Sequence, residues 1–356
     1  MRLVTPSIWT AGEGPDSDVV MSTRVRLARN LQEVTFIGRA SLIQATETAQ
    51  AVQRAVARSE SLKGMNWLDL TAITARDRAL LVERGLVGEH FSTANHPRGM
   101  AIADHGEVSI LANEEDHVRV QAVRSGSRVA QALEAARDVE QALGQHLPFA
   151  FHSRWGFLTA CPTNVGTGLR VSVMVSLPAM ALTGQVPRLQ RAAKELHLAI
   201  RGFRGEGTGH EADLFQVSNQ ITLGRSASEL ADDFSRAIVP ELVEWERAAR
   251  RAYLQANRWP AIDRAAREVA MLQSCRLMAR DEAMKRLGRV RLGVSLGLIQ
   301  GASYVQLSSL MLRIQPEHLA IERPAASHGV EQDRLERARL LRESFASVSV
   351  SGCDAS

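Results

Sequence analysis

The stretch from Cys161 to Pro178, CPTNVGTGLRVSVMVSLP, constrains the chain more than any other. Its first half is a turn: Pro162 fixes φ, and Gly166 and Gly168 allow backbone conformations closed to other residues. Its second half alternates. Leu169, Val171, Val173, Val175 and Leu177 fall on one face of a strand, and Arg170, Ser172, Met174 and Ser176 on the other. Such a strand belongs to a sheet with one buried face, and it lifts an arginine out of a glycine-rich turn on the opposite face. A guanidinium is a planar fork of donors that matches phosphate or carboxylate. Taken alone, the stretch also fits an ordinary half-buried strand with a solvated arginine.

The remaining composition narrows the class. At 356 residues the chain is long enough for two domains. No apolar run approaches the roughly 18 residues that a membrane span needs. The N-terminal MRLVTPSIWT lacks the basic start and apolar core of a secretory signal, so a cytoplasmic location is expected. Cys161, Cys275 and Cys353 are few and far apart, which argues against a disulfide framework or a zinc site. The histidines show no ligand spacing, so no protein metal cage is expected. Of the 43 basic residues only Lys63, Lys194 and Lys285 are lysines, and the net charge is +4. No basic run with interleaved aromatics marks a nucleic-acid surface.

Along the chain, strand and helix patterns mix up to about residue 256. Val19–Asn30 alternates, with Val20, Ser22, Arg24 and Arg26 on one face and Met21, Thr23, Val25 and Leu27 on the other. Asp16 and Asp18 before it read as solvated turn residues. Ser41–Ser59 is a predicted helix capped by Ser41, and Arg76–Arg84 another. Leu86–Met100, with His90, reads as irregular. In Val108–Gln121 an apolar start runs into Asn113-Glu114-Glu115-Asp116-His117. If the strand continues, Glu115, His117 and Arg119 share one face; the other reading is a hairpin tip with exposed acids. Gly126–His146 has helical periodicity. Arg154–Ala160 reads as a strand, Pro187–Leu196 as a short helix, His197–Phe203 as a strand carrying Arg201, and Phe215–Leu223 as a strand. Between those last two, the glycine-dense RGFRGEGTGHEA predicts a flap bearing Glu206. Ser226 and Glu229 form a capping box that opens a long helix to about Ala256. Arg258-Trp259-Pro260 breaks it. Helices alone follow over 261–275, 280–287, 295–300, 304–312 and 333–345, with a loop at 316–330 and a loose tail. The expected domains are 1–256 and 257–356.

Arg24, Arg26, Arg119, Arg170 and Arg201 thus sit on polar faces of separate strands. No Walker A motif or kinase glycine loop is present. Phosphoryl transfer asks mainly for positioning and charge neutralisation, which arginine forks supply. Mg²⁺ needs no protein cage, because phosphate oxygens and water complete its shell. Glu115 and Glu206 beside such a cluster suit a cationic acceptor. A guanidinium pairs with carboxylates and becomes a nucleophile once one takes its proton. The combination points to N-phosphorylation of a guanidino group.

The Cys161-Pro162-Thr163-Asn164-Val165-Gly166-Thr167 run resembles the signature of the guanidino (phosphagen) kinases. Ser22-x-Arg24-x-Arg26, Asn113-Glu114-Glu115-Asp116-His117 with Arg119, and Arg201-Gly202-x-x-Gly205-Glu206 are similar to that family's other motifs, and within it to the bacterial protein arginine kinases. The likeness runs from about Gly14 to Glu343.

The resemblance implies an α+β fold: an antiparallel sheet flanked by helices, then a smaller all-helical domain. It implies that Ser22, Thr23, Arg24, Val25, Arg26, His90, Arg119, Arg170, Val171, Ser172, Val173, Met174, Arg201, Gly202, Phe203, Arg204, Gly205 and Glu206 bind ATP with Mg²⁺. It also implies that Glu115 and Glu206 hold and deprotonate the guanidinium beside Cys161. The implied activity is phosphorylation of arginine side chains in proteins, marking them for stress-linked degradation. The implied partners are a zinc-finger activator, a heat-shock repressor and a Clp-type unfoldase, in a homo-oligomeric enzyme. Two departures stand out. Only 21 residues precede Ser22, where small-molecule guanidino kinases carry an extra helical domain; this favours a protein acceptor. A phosphoarginine-docking motif R-D-x-x-R-A is replaced by Asp333-Arg334-Leu335-Glu336-Arg337-Ala338, its first two residues exchanged. A kinase of free arginine or another small guanidine is the first alternative, and a non-catalytic phosphoarginine-binding adaptor the second.

Overall fold

The computed structural model describes residues 7–202, 211–322 and 329–351. Its strands are β1 (Val20–Arg29), β2 (Asn66–Asp69), β3 (Gly99–Ile102), β4 (Val108–Ala112), β5 (Val118–Ser125), β6 (Phe151–His152), β7 (Gly156–Phe157), β8 (Leu169–Ser176), β9 (Leu198–Gly202), β10 (Leu214–Asn219), β11 (Ile299–Gln300) and β12 (Ser349–Val350). Its helices up to the middle of the chain are α1 (Leu42–Arg58), α2 (Ala75–Glu83), α3 (Glu89–Thr93), α4 (Val129–Gly144), α5 (Pro178–Leu182), α6 (Val186–Glu195) and α7 (Ala227–Asp233). The later helices are α8 (Val239–Ala256), α9 (Arg258–Ser274), α10 (Arg280–Ser295), α11 (Tyr304–Arg313), α12 (Pro316–Glu322) and α13 (Val330–Phe345). Eight strands form one large antiparallel sheet in the order β2-β3-β4-β5-β1-β8-β10-β9. The α+β class is therefore as expected. No helix among the described residues is long and apolar enough to cross a membrane.

The chain packs as two compact units that alternate along the sequence. The first comprises residues 1–8, 22–173 and 218–238, and the second 9–21, 174–217 and 239–356. The boundary expected at 257 falls on the single residue between α8 and α9, both of which belong to the second unit.

In the first unit, register assigns the faces. Arg26 stands opposite Gln121 and Ala28 opposite Arg119, so Ser22, Arg24, Arg26, Arg119 and Gln121 share one face. Leu111 opposite Arg119 and Met100 opposite Leu111 extend that face to the sheet edge. There Met100, Ile102 and Leu111 form a core with Leu81 of α2 and Phe91 of α3. The other face is covered by α1 and α4. Helix α1 begins with the expected Ser41 cap, closed reciprocally by Gln44. Arg29 reaches this face and pairs with Glu140 of α4 at 2.5 Å.

Several local readings change. The expected strand Arg154–Ala160 shrinks to β7, which closes a tight hairpin with β6 over residues 151–157. The helix from Ser226 keeps its capping box, but a π turn at Phe234–Ile238 interrupts it before α8. The break expected at Arg258-Trp259-Pro260 falls one residue earlier, at Asn257, and Pro260 is already helical. It lies in the first turn of α9, where no donor is required of it. Helix α10 runs unbroken through Gly288, where a Cβ would come within 2.6 Å of the Ala212 carbonyl oxygen. That glycine permits close packing and does not end the helix. Part of the expected 316–330 loop is α12. The supposed tail supplies β12, which pairs with β11.

In the second unit, Asp18 is not a solvated turn residue. It accepts from Arg247 at 2.6 Å and from Arg250 at 2.8 Å, and Arg250 also binds the buried Glu246. Burial alone would raise the Asp18 pKa, but the Arg247 hydrogen bond and the Arg250 and Arg247 charges outweigh it and hold the carboxyl below its ordinary value. Its stabilisation is complete above the unfolded carboxylate pKa and is lost as pH falls through the lower folded value. Asp18→Ala should therefore cost about 2–3 kcal/mol at neutral pH. In urea melts across an acid series, the gap between variant and parent should close at the lowest pH.

Candidate functional site

The first unit gathers four arginines on one face of the sheet. Arg24 and Arg26 project from β1, Arg119 from β5 and Arg170 from β8. Arg170 is positioned by hydrogen bonds to Ser218 Oγ of β10 at 3.2 and 3.4 Å. Arg24 lies under the turn after α2, its guanidinium 3.2 Å from where a Gly85 Cβ would stand. Desolvation lowers the Arg24 pKa to about 10. Arg26 is held well below its ordinary value, first by burial and then by repulsion from Arg119, Arg24 and Arg170, with Glu114 opposing. Its Nε is buried without a hydrogen-bond partner. Clustered, desolvated, like-charged forks with an orphan donor fit a ligand carrying several negative charges, as a nucleotide triphosphate does.

The acids sit on the turn between β4 and β5, not on a continuing strand. Asn113 adopts φ +60 to begin it, as asparagine tolerates. Asn113 Nδ2 donates to the carbonyls of Ala45 and Pro97. Asp116 Oδ1 accepts from Asn30 Nδ2 at 2.6 Å and from the Ala160 amide at 2.7 Å. His117 is fully buried; its Nδ1 accepts from the Leu31 amide, and its Nε2 faces the Thr35 carbonyl at 2.9 Å. That assigns the neutral imidazole with the proton on Nε2. Burial lowers its pKa, which keeps it neutral. His117 is thus a framework residue, not a third member of a polar face.

These anchors leave Glu114 and Glu115 to face Arg119, at 2.7 and 3.3 Å. Their exposures differ, with side-chain values of 19% for Glu114 and 46% for Glu115. Glu114 is spent on the arginine cluster, while Glu115 stands at its rim, open to an incoming cation. The Asp116–Ala160 bond brings the Cys161 turn alongside. Cys161 is a partly exposed free thiol, its Sγ 3.0 Å from Thr163 Oγ1. The turn is fixed behind by Gly168 at φ +60, where a Cβ would come within 2.5 Å of the Ala28 carbonyl oxygen.

Other sequence candidates distribute as follows. Ser22 and Ser172 are buried on the arginine face, with Ser172 Oγ 3.4 Å from the Arg24 carbonyl. Thr23, Val25, Val171 and Val173 point to the opposite face. Thr23 there donates to the Gly126 carbonyl and accepts from the Arg128 amide, so these side chains pack the sheet on the face away from the arginines. His90 is exposed on α3. Met174, Arg201 and Gly202 belong to the second unit, the first two partly exposed and Gly202 buried. Phe203, Arg204, Gly205 and Glu206 lie outside the described residues. In the exchanged motif, Arg337 is buried and donates to the Ile314 and Met278 carbonyls, and Ala338 is fully buried. Asp333 is partly exposed and Arg334 exposed. The two residues that match the docking motif are therefore built into the packing of the second unit.

Residues 47–249 match the family model described as "ATP:guanido phosphotransferase, C-terminal catalytic domain". The chain belongs to the ATP:guanido phosphotransferase family. It is a phosphotransferase, and residues 261–355 further match the model for the protein-arginine kinase McsB C-terminal domain. The "Protein-arginine kinase" of Bacillus pumilus is 38% identical over 341 residues, spanning 95% of this chain and 93% of that protein. The Bacillus subtilis protein of the same name is also 38% identical, with the same shares. Among solved structures, a duplicated taurocyamine kinase from Schistosoma mansoni with bound transition state analog components aligns at 26% identity and a TM-score of 0.58. It covers 71% of this chain and 36% of that one. A lombricine kinase at 24% identity and a TM-score of 0.59, covering 68% and 71%, shares the guanidino kinase fold.

Proposed function

We propose that the protein transfers the γ-phosphoryl group of ATP to arginine side chains of other proteins. The observation that carries this is the double engagement of Arg119. It belongs to the cation cluster that fits a triphosphate, and it holds the half-exposed Glu115 at the rim. A nucleotide seated on Arg24, Arg26, Arg119 and Arg170 then presents its γ-phosphorus beside a carboxylate able to orient a guanidinium. Glu115 takes a proton from a guanidinium nitrogen, that nitrogen forms the new N–P bond, and the P–O bond to ADP breaks. The arginines neutralise the charge that builds on the leaving ADP. Mg²⁺ would arrive with the nucleotide, where phosphate oxygens and water can complete its shell, and would help neutralise the phosphate charge. The family resemblance alone adds Glu206, which lies outside the described residues, as a second carboxylate of this reading.

The protein acceptor is supported by relatives named for it over 95% of the chain and by the matching C-terminal model. A cytoplasmic setting, homo-oligomerisation, and a role in stress-linked degradation with a zinc-finger activator, a heat-shock repressor and a Clp-type unfoldase rest on the family resemblance alone. Docking of phosphoarginine at Asp333, Arg334, Arg337 and Ala338 has the same basis. Incubation with ATP and Mg²⁺, with either an arginine-rich protein or free arginine, tests the acceptor. Acid-labile phosphate should appear on the protein. Label on the free amino acid alone would overturn the proposal.

A further inference from the structure

The first unit carries a second feature, on the far side of the Cys161 turn. A groove of about 490 Å³ is bounded by the β6–β7 hairpin, by Gly166 and Thr167, and by the start of α7. Its aromatic wall is built and rigid. Phe151 and Phe157 meet edge to face at 5.2 Å, and the Arg29 guanidinium, fixed by Glu140, stacks 3.5 Å from the Phe157 centroid. The hairpin is tied down at both ends, through the Ala150 amide to the Asn30 carbonyl and the Gly166 backbone to Phe157. Yet Phe151 is 62% and Trp155 42% exposed.

The charge in the groove is unbalanced. Arg29 and Arg225 have carboxylate partners, in Glu140 and Asp233. Among the described residues, exposed Arg154 stacks 4.6 Å over Trp155 and has no carboxylate partner, and exposed Arg137 donates only to Ser228 Oγ. Two cations and an aromatic ledge without counter-charge complement an acidic segment that also brings an apolar or aromatic side chain.

We propose that this groove binds the part of the substrate protein next to its target arginine, and that it prefers acidic residues beside an aromatic one. The proposal rests on the protein-arginine kinase reading and names the substrate class of that site. Continuity of the Cys161 turn carries it: Cys161 and Thr163 lie at its catalytic end, and Gly166 and Thr167 line the groove. An extended peptide spans about 3.3 Å per residue. Cys161 and Gly166 are five positions apart, at most about 17 Å of chain, so residues up to about five positions from the target arginine reach the groove.

The test uses the full-length protein and two single-arginine peptides. One carries Asp-Glu-Phe four residues from the arginine on either side, and the other carries Asn-Gln-Ala in the same places. The parent should phosphorylate the acidic peptide with a kcat/KM about tenfold higher. Arg154→Glu with Trp155→Ala should erase that ratio and leave the neutral peptide unaffected. Arg137→Glu, on the helix wall, should reduce the ratio without touching the hairpin. A ratio near one in the parent, or a ratio unchanged in both variants, overturns the groove proposal while the kinase reading stands. No phosphorylation of either peptide, with phosphorylation of free arginine, overturns the kinase reading and the groove with it. Loss of the preference on adding single-stranded RNA, with RNA binding abolished by Arg154→Glu, would reassign the groove to nucleic acid.

Discussion

Glu115→Gln should lower kcat by about 10²–10⁴-fold while MgATP binding is nearly unchanged. The amide keeps the size of the side chain and a hydrogen bond with Arg119, but it can neither accept the guanidinium proton nor balance its charge. The matched control is Glu114→Gln. Glu114 lies closer to Arg119 and is less exposed, so its loss should change the KM for ATP more than kcat. Steady-state kinetics on a protein acceptor, with calorimetric titration of the nucleotide, separates the two effects. If Glu115→Gln turns over like the parent, the proton acceptor lies elsewhere.

Arg26→Met should have two effects of opposite sign. Without ligand, the parent keeps a desolvated cation beside three others, with its Nε unsatisfied. Replacing it by an apolar side chain of similar length removes that repulsion, so the ligand-free variant should melt higher, by about 1 kcal/mol of added stability. With nucleotide, a charge-assisted contact of about 3 kcal/mol disappears, or roughly a hundredfold in affinity. Saturating MgATP at about 100 times the dissociation constant should stabilise the parent by about 2.7 kcal/mol. The same concentration should scarcely shift the variant. A ligand-free variant that melts lower would show that Arg26 is part of the framework and not of the binding surface.

What the sequence made legible follows from what period and motif can report. Alternation in Val19–Asn30 and Leu169–Pro178 put Arg24, Arg26 and Arg170 on polar faces, and the register agrees. The helix caps at Ser41 and Ser226 were legible because they are local. The acid turn was not. Asn113 and Asp116 draw their partners from Asn30, Ala45, Pro97 and Ala160, which no window along the chain contains. The run of acids was visible, but the division between an inner Glu114 and an outer Glu115 depends on that long-range network. Ser218 behind Arg170 was hidden for the same reason. Asp18 looked like an ordinary turn residue because Arg247 and Arg250 lie more than 200 positions away. The helix expected to stop at 287 runs on to Ser295 because the local cost of Gly288 is offset by close packing. The helix after the break starts before Pro260 because a first-turn proline needs no donor.

The buried anchoring of the acid turn bears on turnover as well as on shape. Ordering a backbone residue costs about 1–2 kcal/mol of conformational entropy. With Asn113, Asp116 and His117 locked in place, that cost is met once, when the chain folds. In the proposed reaction each arriving guanidinium would meet a carboxylate whose backbone is already in place, so little further ordering of the turn is needed. A catalyst built this way leaves discrimination between acceptors to surfaces outside the acid turn, because the aim of the carboxylate is set before the acceptor arrives.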